Sequence, residues 1–156
     1  MNTEKIAQIL KKRFLDKVKE VEVFDFKPAF EVDSKSILEV CKFVKDSPDL
    51  SFDLLSCMAG VDRMDGFEVV YVLFSFKHKH KLTLKAPLPK ENPEIESVSF
   101  IWAGANWHER EVFELFGIKF KNHPDPRPLL LPEDWDEGYP MRKGWKGRDF
   151  IPLPEE

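Results

Sequence analysis

Cysteine is nearly absent from this chain. Only Cys41 and Cys57 occur among 156 residues, and they form no Cys-x-x-Cys pair. That spacing supports neither an iron–sulfur cluster nor a zinc site. The two thiols read as small reduced core hydrophobes. Long apolar runs are missing too, since no stretch approaches the ~20 residues that span a bilayer. There is no Gly-x-Gly-x-x-Gly and no Gly-Lys-Ser/Thr, and the single glycine of Gly104-Ala105-Asn106 makes no phosphate loop. His108-Glu109 lacks a second histidine four residues on, so the metalloprotease pattern fails. His123-Pro124-Asp125 offers two ligand types without a third at a usable spacing. The N-terminal Met-Asn-Thr-Glu-Lys has no apolar signal core, so neither export nor targeting is expected. With 24 basic against 28 acidic residues and a net charge of −4, nucleic acid is not expected as a partner. No internal repeat or low-complexity segment occurs.

What remains is one globular domain, long enough to bury about two-thirds of its unfolded surface. Thr3 starts a first helix, with Ile6, Ile9, Leu10 and Phe14 at helical spacing. Val21 to Phe26 alternates and reads as a strand, ended by Pro28. Phe30 to Val32 reads as a short pairing segment. Asp33 or Ser34 caps a second helix with Ile37, Val40, Cys41 and Val44 inward, and Ser47-Pro48 ends it. Leu54 to Val61 is a strand. Asp65-Gly66 predicts a hairpin turn, with glycine supplying a positive φ. Phe67 to Phe76 is nearly all apolar and reads as a strand buried on both faces. Lys77-His78-Lys79-His80 reads as a solvated turn. Lys81, Thr83 and Lys85 alternate with Leu82, Leu84 and Ala86, a strand with one wet face. Glu94 to Ser97 reads as a short helix or turn, and Val98 to Trp102 as a short strand. Trp102 and Trp107 flank the next helix as core or staple residues.

The most informative stretch runs from Gly104 to Leu131. Asn106 and Glu109 read as a capping box. Val112, Leu115 and Phe116 give the apolar stripe, and Gly117 closes the helix. Glu109, Arg110, Glu111 and Glu114 crowd this one short helix, with Arg110 and Glu114 on one face. Ile118-Lys119-Phe120 reads as a short strand. Pro124, Pro126 and Pro128 then remove backbone donors at alternate positions and force an extended segment. Seven of the twelve prolines lie from Pro124 onward. This tail nevertheless carries Leu129, Leu130, Leu131, Trp135, Trp145, Phe150 and Ile151. So many large apolar groups argue for docking, on this domain or on another protein. The expected fold is α+β: a small, mainly antiparallel sheet with helices on one face (residues 1–122), followed by an extended tail (residues 123–156).

Glu-Arg-Glu, Glu114, Phe-Gly-Ile-Lys-Phe, His123-Pro124-Asp125 and Arg127 together resemble the signature of the 30 kDa subunit family of respiratory complex I (NADH-quinone oxidoreductase). Leu-Pro-Glu-Asp-Trp and Tyr-Pro-Met-Arg-Lys resemble that family's tail. Two departures stand out. Pro128 stands where the family usually has a second arginine, and Gly144 to Arg148 are inserted before Asp149-Phe150. The resemblance implies a structural subunit without a cofactor of its own, in the peripheral arm of a complex I-like oxidoreductase on the cytoplasmic face of the membrane. Its implied neighbours are the 49 kDa, hydrogenase-like large subunit and the small subunit that holds an iron–sulfur cluster, with the membrane arm reached indirectly. At this length no fused large subunit is implied. Related quinone-reducing, hydrogen-evolving and sulfur-reducing complexes share the subunit.

Three functional readings follow. In a partner interface, Glu109, Arg110, Glu111, Glu114, His123, Asp125, Arg127, Trp135 and Arg142 would meet the neighbour, the acidic groups facing basic ones. In an enzyme, Glu109, Glu111 and His123 would form an acid/base set. A third possibility, capture of a peptide at a sheet edge, needs a long unpaired edge strand.

Overall fold

The computed structural model describes residues 3–22, 28–148 and 151. A first helix, α1 (Thr3–Phe14), leads through a 3-10 turn into β1 (Val18–Val21). β2 (Ala29–Val32) and a 3-10 turn over Ser34–Ser36 precede α2 (Ile37–Asp46). Three longer strands follow, β3 (Leu54–Asp62), β4 (Gly66–Ser75) and β5 (His80–Pro89). Then come β6 (Glu94–Glu96), α3 (Ala105–Phe116) and β7 (Lys119–Lys121). Residues 122–148 form turns and bends without helix or strand.

Five strands form one sheet in the order β1-β2-β5-β4-β3. All its pairs are antiparallel except β2 with β5. β6 and β7 form a separate parallel pair. The α+β class with a mainly antiparallel sheet is therefore observed. Phe67, Val69, Tyr71 and Leu73 of β4 and Leu82, Leu84, Ala86 and Leu88 of β5 are buried on one sheet face. They share a single core with Ile6, Leu10 and Phe14 of α1, Ile37, Val40, Cys41 and Val44 of α2, and Val112 and Phe116 of α3. α3 lies so close to β3 that a Cβ on Gly60 would come within 2.8 Å of the Phe116 ring.

Several expectations are corrected. The first strand is Val18–Val21, earlier than the alternation places it, and residues 23–26 of the expected strand lie outside the described residues. β4 is fully buried on only one face, because on the other Val70, Val72 and Phe74 are half-exposed while Glu68 is buried. Gly66 does not adopt a positive φ. It opens β4, where a side chain would collide with the Leu88 carbonyl oxygen of β5. Glu94–Glu96 is a strand, stabilised by pairing with β7. Residues 98–102 are turns rather than a strand, closed by Ile101 and Trp102 amides on the Val98 carbonyl. His80 is buried with its Nε2 2.8 Å from the Leu50 carbonyl oxygen, not solvated.

Candidate functional site: the junction of α3 and the C-terminal segment

α3 starts at Ala105 after Gly104, with no side-chain cap. The expected Asn106–Glu109 capping box is absent, because Glu109 is turned inward and fully buried. Its Oε1 accepts the Val98 N–H at 2.7 Å and its Oε2 accepts the Ser97 hydroxyl at 2.5 Å. Glu109 thus pins the loop after β6 to α3. Burial lifts its carboxyl to about 7, while the bonds from Ser97 and Val98 pull it partly back. His123 Nε2 is 3.6 Å from Glu109 Oε2, beyond hydrogen-bond length, and 3.2 Å from the Asn106 carbonyl. The Asp125 N–H donates to His123 Nδ1 at 3.0 Å. That bond needs a lone pair on Nδ1, so the ring proton of neutral His123 sits on Nε2.

Next along α3, Arg110 is buried. Its Nε donates to the Arg127 carbonyl and its Nη2 to the Pro128 carbonyl, both at 2.8 Å. The fork of a guanidinium matches two successive carbonyls of an extended chain. Asp125 lies 3.8 Å from Arg110 Nη1 and also holds Arg127 through two bonds of 2.7 and 2.9 Å. The Arg127 guanidinium keeps the Asp125 carboxyl below its usual range. Trp107 is exposed, correcting its reading as a core residue, with Arg110 5.2 Å above its ring. Trp102 is core, donating to the Phe52 carbonyl.

Glu114 completes the clamp. Its carboxylate accepts three successive backbone amides: Leu129 at 2.8 Å, Leu130 at 2.7 Å and Leu131 at 3.1 Å. The segment after Pro128 is the first stretch with consecutive N–H donors again, and a buried anion satisfies them. Past the helix, Gly117 takes φ 72°. Met141 N–H reaches the Leu115 carbonyl, and Arg142 Nε donates to the Phe116 carbonyl at 2.7 Å. The Arg142 guanidinium lies 4.4 Å from the Tyr139 ring centroid and 4.8 Å from that of Phe67. Lys143 N–H binds Asp62 of β3 at 2.7 Å. The inserted Gly144–Arg148 stretch folds back: Trp145 stacks on Trp135 at 6.1 Å and Arg148 pairs with Asp136 at 2.6 Å.

Glu109, Arg110, Glu114, His123, Asp125 and Arg127 therefore lie together between α3 and residues 97–131, and Arg142 makes a separate contact at the helix end. Glu111 stands apart and is half-exposed. It lies two positions from Glu109, on another side of the helix, so the Glu109–Glu111–His123 acid/base set does not converge. Trp135 belongs to the folded-back loop. Ser97, Asp62 and Tyr139 are partners that no local sequence pattern marks. A cavity of about 140 Å³ lies beside the junction, lined by Glu109, Arg110, Phe113, Lys119, Phe120, His123 and Pro126. Among the described residues no three His, Cys, Asp or Glu side chains group as a metal site, and no helix is long and apolar enough to cross a membrane.

These features define a small α+β domain whose buried charges position its own C-terminal segment. The chain belongs to the family described as respiratory-chain NADH dehydrogenase, 30 Kd subunit, whose model matches residues 30–150. It is 41% identical over 146 residues to a subunit of NADH-quinone oxidoreductase from Chloroherpeton thalassium, covering 92% of this chain and 60% of that relative. The chain thus spans less than two-thirds of that relative's length. It is 48% identical over 118 residues to a subunit of F(420)H(2) dehydrogenase from Methanosarcina mazei, covering 74% of this chain and 73% of the relative. Among solved structures, a trypsin-resistant fragment of Nqo5 superposes with a TM-score of 0.64 at 25% identity, over 80% of this chain and 99% of the fragment. A chain of the membrane-bound sulfane sulfur reductase, an archaeal respiratory membrane complex, shares the fold with a TM-score of 0.65 at 22% identity, over 91% of this chain and 80% of that one.

Proposed function

We propose that this chain is a structural subunit of the peripheral arm of a complex I-like membrane oxidoreductase, without a cofactor of its own. It packs against the hydrogenase-like large subunit and lies near the small subunit that holds an iron–sulfur cluster, on the cytoplasmic face of the membrane. The observation that carries this reading is the α3 clamp. Buried Glu114 and Arg110 bind backbone atoms of residues 127–131, which uses them for shape rather than for chemistry. A segment held in this way presents a preformed surface, and preorganisation lowers the ordering cost of association. On the outer side, Trp107, Arg127 and Leu130 are exposed and, with Glu111, are the docking groups of this junction. The electrons pass through neighbouring subunits to quinone or a related acceptor, coupled to ion translocation, and this chain fixes their geometry.

The test is a tagged pull-down from detergent-solubilised native membranes, with subunits identified by mass spectrometry. Co-purification of a hydrogenase-like large subunit, iron–sulfur proteins and antiporter-like membrane subunits is expected. The co-purifying input module then assigns the electron donor, which distinguishes quinone-reducing from hydrogen-evolving or sulfur-reducing complexes. Recovery of the chain alone from the soluble fraction would overturn the reading.

A further inference from the structure

We infer that the part of the second sheet face left exposed over β3 and β4 is a second docking surface for a partner-subunit segment that is apolar inward and bears a carboxylate on the edge facing Lys81. The inference rests on the subunit reading above.

The composition of β4 is the first observation. Its run from Phe67 to Phe74 is apolar on both sides apart from Glu68, the pattern of a strand covered on two faces. The helices cover only one. On the other, Val70, Val72 and Phe74 remain half-exposed. The register extends this strip, because Ala59 of β3 pairs with Val70, Cys57 with Val72 and Leu54 with Phe74. Ala59, Cys57 and Leu54 are all exposed. Phe76, also exposed, packs edge-to-face on Phe74 with ring centroids 5.3 Å apart. Contiguous apolar surface of this kind marks an interaction site, whereas isolated exposed hydrophobes do not.

Charge selects the occupant. On the other flank of β4, Lys81 stands opposite Phe74 and Lys85 opposite Val70, with the buried Thr83 between them opposite Val72. The two lysines point to the same sheet face about 13 Å apart. Lys85 Nζ is 4.0 Å from Glu68, a carboxylate that Arg63 already holds at 2.6 Å. Lys81 is exposed and makes no ion pair among the described residues. Lys85 is flanked by Glu68 and by Glu31 of β2, so Lys81 is the cation left for a partner, and an apolar strip with Lys81 at its border is complementary to an amphipathic segment with a carboxylate on that edge.

Cys57, exposed rather than the core residue expected from the sequence, lies in the middle of the strip and reports on its coverage, while Cys41 is buried as expected and its thiol is pushed far up by burial. The experiment compares maleimide labelling of Cys57 in the isolated full chain and in the purified native complex. Labelling at least tenfold slower in the complex is expected. Equal rates in an intact complex would overturn the docking face while leaving the subunit reading in place. Purification without any partner would overturn both. Two variants give an independent readout: Val72→Glu should fold yet fail to enter the complex, and Lys81→Glu should enter it but dissociate at lower salt. Normal incorporation and salt tolerance of both would also overturn the docking face.

Discussion

Glu114 Oε1 accepts the backbone N–H of Leu130 at 2.7 Å, and the two flanking amides close on Oε2 of the same carboxylate. One side chain of α3 thereby fixes three consecutive residues of a segment that has no secondary structure. Charge-assisted bonds of this kind contribute about 1.5–3 kcal/mol each before coupling is considered. In Glu114→Gln the amide group presents donors where an acceptor is needed. The expected outcome is faster hydrogen exchange at the amides of Leu129, Leu130 and Leu131 and a loss of roughly 2–4 kcal/mol of stability. Unchanged exchange at these three amides would show that the segment is held by other contacts.

Arg110 performs the reciprocal task, donating to carbonyls where Glu114 accepts from amides. Arg110→Lys keeps the charge but removes the fork, so at most one of the two carbonyls keeps its partner. Accelerated proteolysis between residues 123 and 131 is expected, with the core melting only a few degrees lower. Arg127→Ala, which removes an exposed ion pair with Asp125, should change stability by less than about 1 kcal/mol. A larger effect from Arg127→Ala than from Arg110→Lys in a denaturant titration would reverse this ranking.

The helices and the long strands are legible in the sequence because each rests on local periodicity. The charged set on α3 is legible as a cluster, but its use is not. A carboxylate on an exposed helix and one that receives three amides from 15 residues away have the same local pattern. Glu109 illustrates this: the i, i+3 relation to Asn106 suggests a cap, but tertiary packing turns the side chain to Ser97 and Val98. Gly66 follows an aspartate as a turn glycine would, yet what requires it is the carbonyl of β5. In β4 the apolar run implies two covered faces, and the helices of the described residues cover one, leaving Val70, Val72 and Phe74 half-exposed.

Gly117 is a position where conformation and space both demand glycine. Its φ is 72°, and a Cβ would lie 2.5 Å from Cε2 of Tyr139 and 2.6 Å from Nη2 of Arg142. Strain of about 1–2 kcal/mol from the left-handed backbone adds to displacement of Tyr139 and Arg142. Gly117→Ala should therefore cost about 2–4 kcal/mol and release residues 139–143 from α3. The change is read as loss of protection at the Met141 amide, which binds the Leu115 carbonyl in the folded chain. Retained protection would show that the tail's last contact forms independently of the helix end.

The buried Glu109 makes stability depend on pH in a direction opposite to that of an ordinary salt-bridged carboxylate. Its pKa is raised from 4.5 to about 7 in the folded chain. The folded state therefore holds this proton more tightly than the unfolded state does. Its contribution is fully present below about pH 4.5 and is lost as pH rises through about 7, a penalty of about 3 kcal/mol. Other carboxylates, Asp125 among them, have lowered values and pull the opposite way at lower pH. The comparison that isolates Glu109 is thus wild type against Glu109→Gln, each measured by urea denaturation between pH 4.5 and 8. The stability difference should shift toward the glutamine variant as pH rises, with most of the change between pH 5 and 7.5. A difference independent of pH would mean that Ser97 and Val98 compensate burial completely and that Glu109 stays ionised throughout this range.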